Sequence, residues 1–453
     1  MTVDQSSSSP KRALGRKRAA SLAGCAVTVL LTVTACGGGT AGTTTKDGFA
    51  QVPQKEGTLT VWVDATRLEA AKLYKEQHPD VEMDIVSYDG NANGSNYLQT
   101  KVQLFNRTKK GWPDVVFSSQ NNEVTWAVDA GFAAPLNKGL IPSDLLGKFA
   151  SGANDVCTVD GTVYCLRNDL SQVVLWYNAP LLKKFGYAVP KTWEEYQKLG
   201  EKVAEEHPGY LVGDAGDSFT PEIYLWASKC GANDITGPKA VSVNTTSEAC
   251  TKMAELMDVL IKNKSMSISG VFSTDFAKNN ADRILLMPGP AWFGGAVFKD
   301  TLKTPAGQIA AAPIPQWEGE TAPATGNVGG GTWLVSQHSA HLEAATDFLK
   351  WVTTDNAYQG EKAPGFPAYA PAAEAWLKGQ DASGYFASDL TVLKDASSQV
   401  WPGWGSGKFS QEAIWAATVK PGLTEGKSIV SMLPAWQDAI VKHAQANGYK
   451  VSQ

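Results

Sequence analysis

Four cysteines carry the most readable chemistry in the chain: Cys157, Cys165, Cys230 and Cys250. Their even number, in a chain read below as exported, suggests two disulfides between sequence neighbours. Cys157 and Cys165 flank TVDGTVY, a hairpin with Asp160-Gly161 at its turn. A two-residue turn there sets Cys157 opposite Tyr164, so the bridge calls for an odd-numbered loop or a bulge. A metal site is the alternative for four cysteines, yet neither pair has C-x-x-C spacing. His338 and His341 have the i, i+3 spacing of a metal pair, but no acidic third ligand accompanies them and they read as surface residues at a helix start. Neither HExxH nor GxSxG occurs. Paired carboxylates for glycoside hydrolysis are arranged in three dimensions, so abundant Asp and Glu leave that class open.

Cys36 is a different case. Lys11, Arg12, Arg16, Lys17 and Arg18 precede a mostly apolar stretch from Ser21 to Val33, too short for a permanent membrane span. Val33-Thr34-Ala35-Cys36 resembles a lipobox, in which the cysteine is lipidated and becomes the new N-terminus. The Gly- and Thr-rich tract that follows reads as a flexible tether. The plainer alternative is a secretory signal cut after Ala35. Two acyl chains hold a protein at a membrane where one does not.

The 453-residue chain has a net charge of −5. Its first 35 residues carry five positive charges and one negative, so the remainder is near −9, which argues against nucleic-acid binding. The length suggests two lobes of ordinary size. All fifteen tryptophans lie beyond Cys36, some for a core and others available as ligand platforms.

The elements that must position any site follow a βαβ pattern. Thr58 to Val63 reads as a strand, Thr66 and Glu69 as a capping box starting a helix at Arg67, and VEMDIVSY as a second, parallel strand. Asp114 to Ser118 is a further strand, followed by a helix capped at Asn121 or Asn122. SQVVLWYN is a strand, and Thr192 with Glu195 opens a helix through a second capping box. Met253, Leu256, Met257 and Leu260 share one helix face, as do Leu342, Ala345, Phe348, Leu349 and Val352. RILLMPGPAWFGG is a buried strand breaking into a rigid Pro/Gly turn that carries Trp292. The end, Phe409 to Tyr449, is mostly helical.

Seven segments in order resemble the extracellular solute-binding proteins of carbohydrate ABC transporters, the group that includes maltose-binding protein. They are TLTVWVD, GWPDVVFSSQ, DGTVYCLRNDLSQVVLWYNAPLLKKFGYAVPKTWEEY, MPGPAWFGG, AAAPIPQWEG, VGGGTWLVS and AATDFLKWV. MPGPAWFGG departs from the family's G-P-W loop by the insertion of Ala291. The resemblance implies a two-lobed α/β fold of the type II periplasmic-binding-protein kind, with ligand bound between lobes joined by crossing strands. It divides the chain into a signal peptide (1–35), a tether (36–56), a first lobe (57–168 and 316–362) and a second lobe (169–315 and 363–453).

It further implies a monomeric receptor without enzymatic activity, cofactor or metal, lipid-anchored at the outer face of the cell membrane. The receptor passes a mono- or oligosaccharide to permease subunits and their ATPase. A sugar needs aromatic platforms for its C–H faces and Asp, Asn, Glu or Arg for its hydroxyls. By resemblance the contacts fall on Asp64 and Arg67 after the first strand, Gln120 and Asn121 after PDVVFSS, and Asp169 and Ser171 near the crossover. Trp292 is the leading platform, with Trp401 or Trp404 as a second. Plainer roles compete: Asp64 and Asn121 as caps, Asp169 in a hinge ion pair, Trp292 in a core. The same fold binding a glycerol phosphate, or an exported glycoside hydrolase, are the rival functions.

Overall fold

A computed structural model of the chain describes residues 44–46 and 48–453. Cys36 and the signal segment lie outside the described residues. The chain from Leu59 onward builds three buried clusters, two around the first-lobe sheet and one large one in the second lobe.

The first lobe is a five-stranded sheet ordered Met83–Ser87, Leu59–Val63, Val115–Ser118, Thr332–Val335, Cys165–Arg167. The first three strands are parallel, and Thr332–Val335 runs antiparallel to both its neighbours. Valine-rich strands buried on both faces are what a parallel sheet covered by helices requires. Leu342, Ala345, Phe348, Leu349 and Val352, the stripe read from the sequence, all face this core from helix Leu342–Thr354.

The second lobe centres on Val173–Asn178, antiparallel to Leu286–Pro290 on one side and Ile309–Ala312 on the other. Gly213–Asp214 pairs in parallel with Met266–Ser267, and a Leu211–Ile284 bridge joins the two groups. Helix Glu248–Lys262 buries Met253, Leu256, Met257 and Leu260. Trp176, Trp193, Trp415 and Trp436 are fully buried here, each contributing on the order of 2–3 kcal/mol by removal from water. Ile314, Trp317 and Val328 also belong to this core.

The chain passes between the cores around Leu170, between Val328 and Trp333, and between Tyr358 and Ala363. The crossings are tied to one another: Asp169–Leu170 pairs with Phe366–Pro367, and Gln172 bridges Asn327.

Several local expectations change. The first helix begins at Leu68 rather than Arg67, and Asp64 Oδ1 accepts the Arg67 N–H at 2.7 Å where a Thr66–Glu69 box was expected. The Thr192–Glu195 box is present, with Thr192 Oγ1 accepting from Glu195 N at 3.1 Å. Pro288-Gly289-Pro290 is not a turn but part of a strand opposite Val173–Leu175. Gly289 is required there, because the Phe293 ring occupies the space of a Cβ.

Both disulfides form, Cys157–Cys165 and Cys230–Cys250. The hairpin has its two-residue turn, Thr158 facing Val163 and Val159 facing Thr162, with Asp160 and Gly161 at positive φ. No bulge is needed, because Cys157 ends a 3₁₀ turn (Asp155–Cys157) just outside the ladder and Cys165 starts the next strand.

Candidate functional site

The two lobes meet over a cavity. From the first lobe come Ser119 to Asn122, the loop that follows strand Val115–Ser118. From the second come Glu222 and Trp226 of helix Thr220–Ala227, the loop around Trp404, and Gln411 with Glu412 at the start of helix Gln411–Thr418. Loops at the carboxyl ends of strands are where open α/β sheets place ligand contacts. The cavity measures about 30 Å³, room for about two waters and not for a sugar ring. Entry of a larger solute therefore requires the lobes to part.

Trp226 and Trp404 form the aromatic wall, their rings parallel within 7° and 5.3 Å apart. Trp226 Nε1 donates to the Trp401 carbonyl at 2.7 Å, which fixes the indole. Opposite charge is scarce. Glu412 accepts from Gln120 Nε2 at 3.2 Å and from Ser218 Oγ at 3.4 Å, both neutral donors. Burial raises the pKa of Glu222 and of Glu412, and the field of Glu412 adds to the rise at Glu222. Gln411, only 4% exposed, has neither its Oε1 nor its Nε2 hydrogen-bonded, and Asn233 Oδ1 is likewise unpaired. Buried polar groups left open in this way mark a place where a ligand or water completes the bonding.

On the first-lobe side a hydrogen-bonded chain leads away from the cavity. Arg167 donates to Asn121 Oδ1 at 2.6 Å, to the Asp169 carbonyl at 3.0 Å and to the Gly329 carbonyl. Arg67 joins Asp169 at 3.2 Å and Asp64 at 3.3 Å, and lies 4.4 Å over the Phe117 ring. Burial lowers the Arg67 pKa, but Asp169 and Asp64 raise it more, so the net shift is upward. Burial pulls Arg167 down to about 10, still charged at neutral pH. Gly330, at φ +88°, leaves the room this needs: a Cβ there would stand 2.3 Å from an Arg167 guanidinium nitrogen.

Gln120, Asn121 and Trp404 are thus brought together at the cavity. Asn121 does not cap its helix with its side chain, which is engaged by Arg167. Asp64, Arg67 and Asp169 form the ion-paired group at the crossover. The Ser171 hydroxyl is buried without a partner and does not line the cavity. Trp292 does not line it either. Its indole donates to the Val328 carbonyl at 3.0 Å, and its ring stacks on Phe272, which is 50% exposed. Trp401 contributes its backbone carbonyl rather than a face.

Sequence reading missed Glu222, Trp226, Asn233, Gln411 and Glu412. Glu222 was the visible signal, a lone acid in the apolar run PEIYLWA. Gln411 and Glu412 were masked by Ser410, because an acid after a serine cap reads as ordinary helix-start chemistry.

Residues 56–359 match the family of bacterial extracellular solute-binding proteins. The chain belongs to that family. Among relatives of this solute-binding protein, a lactose-binding protein of Rhizobium radiobacter is 27% identical over 407 residues, spanning 84% of this chain and 92% of the relative. An ABC-transporter-associated binding protein from B. animalis subsp. lactis Bl-04, solved with β-1,6-galactobiose, superposes with a TM-score of 0.73 at 20% identity, covering 88% of this chain and all of that one. Maltose-bound MalE3 of T. maritima gives 0.64 at 18% identity, covering 86% and 99%. The solute-binding protein thus has the type II two-lobed α/β fold. No helix among its described residues is long and apolar enough to cross a membrane.

Proposed function

We propose that this solute-binding protein is a receptor that closes its lobes on a mono- or oligosaccharide and delivers it to the permease and ATPase of an ABC importer. The carrying observation is the cavity itself: stacked Trp226 and Trp404 on one wall, with open hydrogen-bonding atoms of Gln411 and Asn233. A flat apolar face beside unpaired polar groups suits a sugar ring, which is apolar on its faces and polar at its edge. The relatives that bind lactose and galactobiose favour the same ligand class.

Gln120, Asn121 and Trp404 are the residues named from the sequence that we assign to ligand contact. Asp64, Arg67 and Asp169 brace the crossover, and Ser171, Trp292 and Trp401 lie outside the cavity. The mechanism is a population shift, in which a ligand touching both lobes stabilises the closed form. Lipidation at Cys36, tethering the receptor to the outer face of the cell membrane, rests on the lipobox-like sequence.

The test is a melting-temperature screen over mono- and oligosaccharides with glycerol phosphates alongside, followed by calorimetry. A ligand at a hundredfold excess over its Kd stabilises the folded state by about 2.7 kcal/mol. Stabilisation by glycerol phosphates and by none of the sugars would overturn the proposal.

A further inference from the structure

The cavity is one-sided in charge. Glu222 and Glu412 are the ionisable side chains lining it, and no Lys, Arg or His joins them there among the described residues. The nearby cations have other partners. Lys408 pairs with Asp129 at the rim, Arg67 with Asp64 and Asp169, and Arg167 is held by Asn121 and two carbonyls. Lys420 does not line the cavity, and its charge is felt at Asp217 without an ion pair. Closing the lobes therefore buries the Glu412 carboxylate and half-buries Glu222, with the neutral groups of Gln120 and Ser218 donating to Glu412.

Two like charges in such a place resist joint ionisation. A neutral hydroxyl does nothing for the excess charge. A protonated amine cancels one charge and supplies up to three donors. The indole faces of Trp226 and Trp404 favour a cation rather than an anion beside them. The open atoms of Gln411 and Asn233, side chains 4% and 2% exposed, independently mark this spot as one that a ligand completes.

We infer that the saccharide taken by this cavity carries a protonated amino group, as in an amino sugar or a deacetylated oligosaccharide, bound by Glu222 and Glu412. The inference rests on the saccharide reading above and narrows it.

The experiment is calorimetric titration of the full chain with matched sugars. Suitable sets are fully deacetylated chitobiose, cellobiose and diacetylchitobiose, together with glucosamine against glucose and galactosamine against galactose. In at least one set the amine should bind at least about tenfold tighter than its hydroxyl or acetamido counterpart, as a charge-assisted hydrogen bond predicts. Glu412→Gln and Glu222→Gln keep the side-chain shape and should reduce that preference to about twofold or less, with melting curves verifying the fold. Neutral sugars binding as tightly as their amines in every set, or a preference retained in both Gln variants, overturns the inference and leaves the saccharide reading standing. Binding by no sugar of either kind overturns both.

Discussion

Gln120 Nε2, from the first lobe, donates to Glu412 Oε1, from the second, across 3.2 Å. Both side chains are more than nine-tenths buried, so this bond exists only when the lobes are together. Gln120→Ala also removes a polar group that we assign to ligand contact and should weaken sugar binding about tenfold, the equivalent of one hydrogen bond. Titration calorimetry reads this directly, and unchanged affinity removes the bond from the closing mechanism.

A second inter-lobe approach is steric. A Cβ on Gly94, whose φ is +72°, would stand 2.8 Å from Ala413 Cβ and 2.9 Å from Ser410 Oγ. Gly94→Ala should hold the lobes apart and raise Kd by roughly tenfold. Small-angle scattering of the sugar-saturated variant should then give a larger radius than the parent. An identical radius and Kd would mean that the loop yields to the added methyl.

Glu123 and Asp214 set a pH dependence. Burial raises their pKa values from 4.5 and 3.8 to about 7 each, with Asp217 adding to the rise at Asp214. The folded state therefore holds protons that the unfolded chain has released between about pH 4 and pH 7. Stability from these groups is present at the acidic end and is lost as pH rises through 7. The melting temperature should fall across that window, and Glu123→Gln or Asp214→Asn should flatten the slope even if it lowers the curve. Equal slopes in parent and both variants would contradict this.

The Cys230–Cys250 bridge closes a loop with a sequence separation of 20. Cys230→Ser with Cys250→Ser should cost roughly 3 kcal/mol by the chain-entropy argument. Denaturant unfolding of the double variant measures it, and a loss well under 1 kcal/mol would show that the helix Glu248–Lys262 is held by packing alone.

Cys36→Ala should move the protein from the membrane fraction to the soluble or secreted one, since lipidation would be lost. Equal membrane retention removes the lipobox reading.

Repeating local patterns were legible in the sequence. The Thr192–Glu195 box, the Met253–Leu260 stripe and the Asp160-Gly161 turn each depend on residues a few positions apart. The second-lobe half of the cavity was not legible, because it joins positions near 222, 233, 404 and 411 that only tertiary packing brings together. Trp226 illustrates the difficulty: in a helix buried almost all round, nothing local separates a cavity-lining indole from a core one. Trp292 illustrates the converse, a loop-like Pro/Gly context whose tryptophan packs on Phe272 and Phe219.

The threading of the two lobes bears on how the protein is made. The first sheet receives Thr332–Val335 between Val115–Ser118 and Cys165–Arg167, and the second lobe joins Ala240–Ser242 to Lys450–Ser452 in parallel. During synthesis the early strands of both lobes wait for partners that emerge hundreds of residues later, and such non-local pairing is slow. Neither lobe can complete its sheets until strands far along the chain have emerged, so the two lobes finish folding late and nearly together. Each lobe closes its own disulfide between residues near in sequence, Cys157–Cys165 in the first and Cys230–Cys250 in the second, so neither bridge has to wait for those late strands.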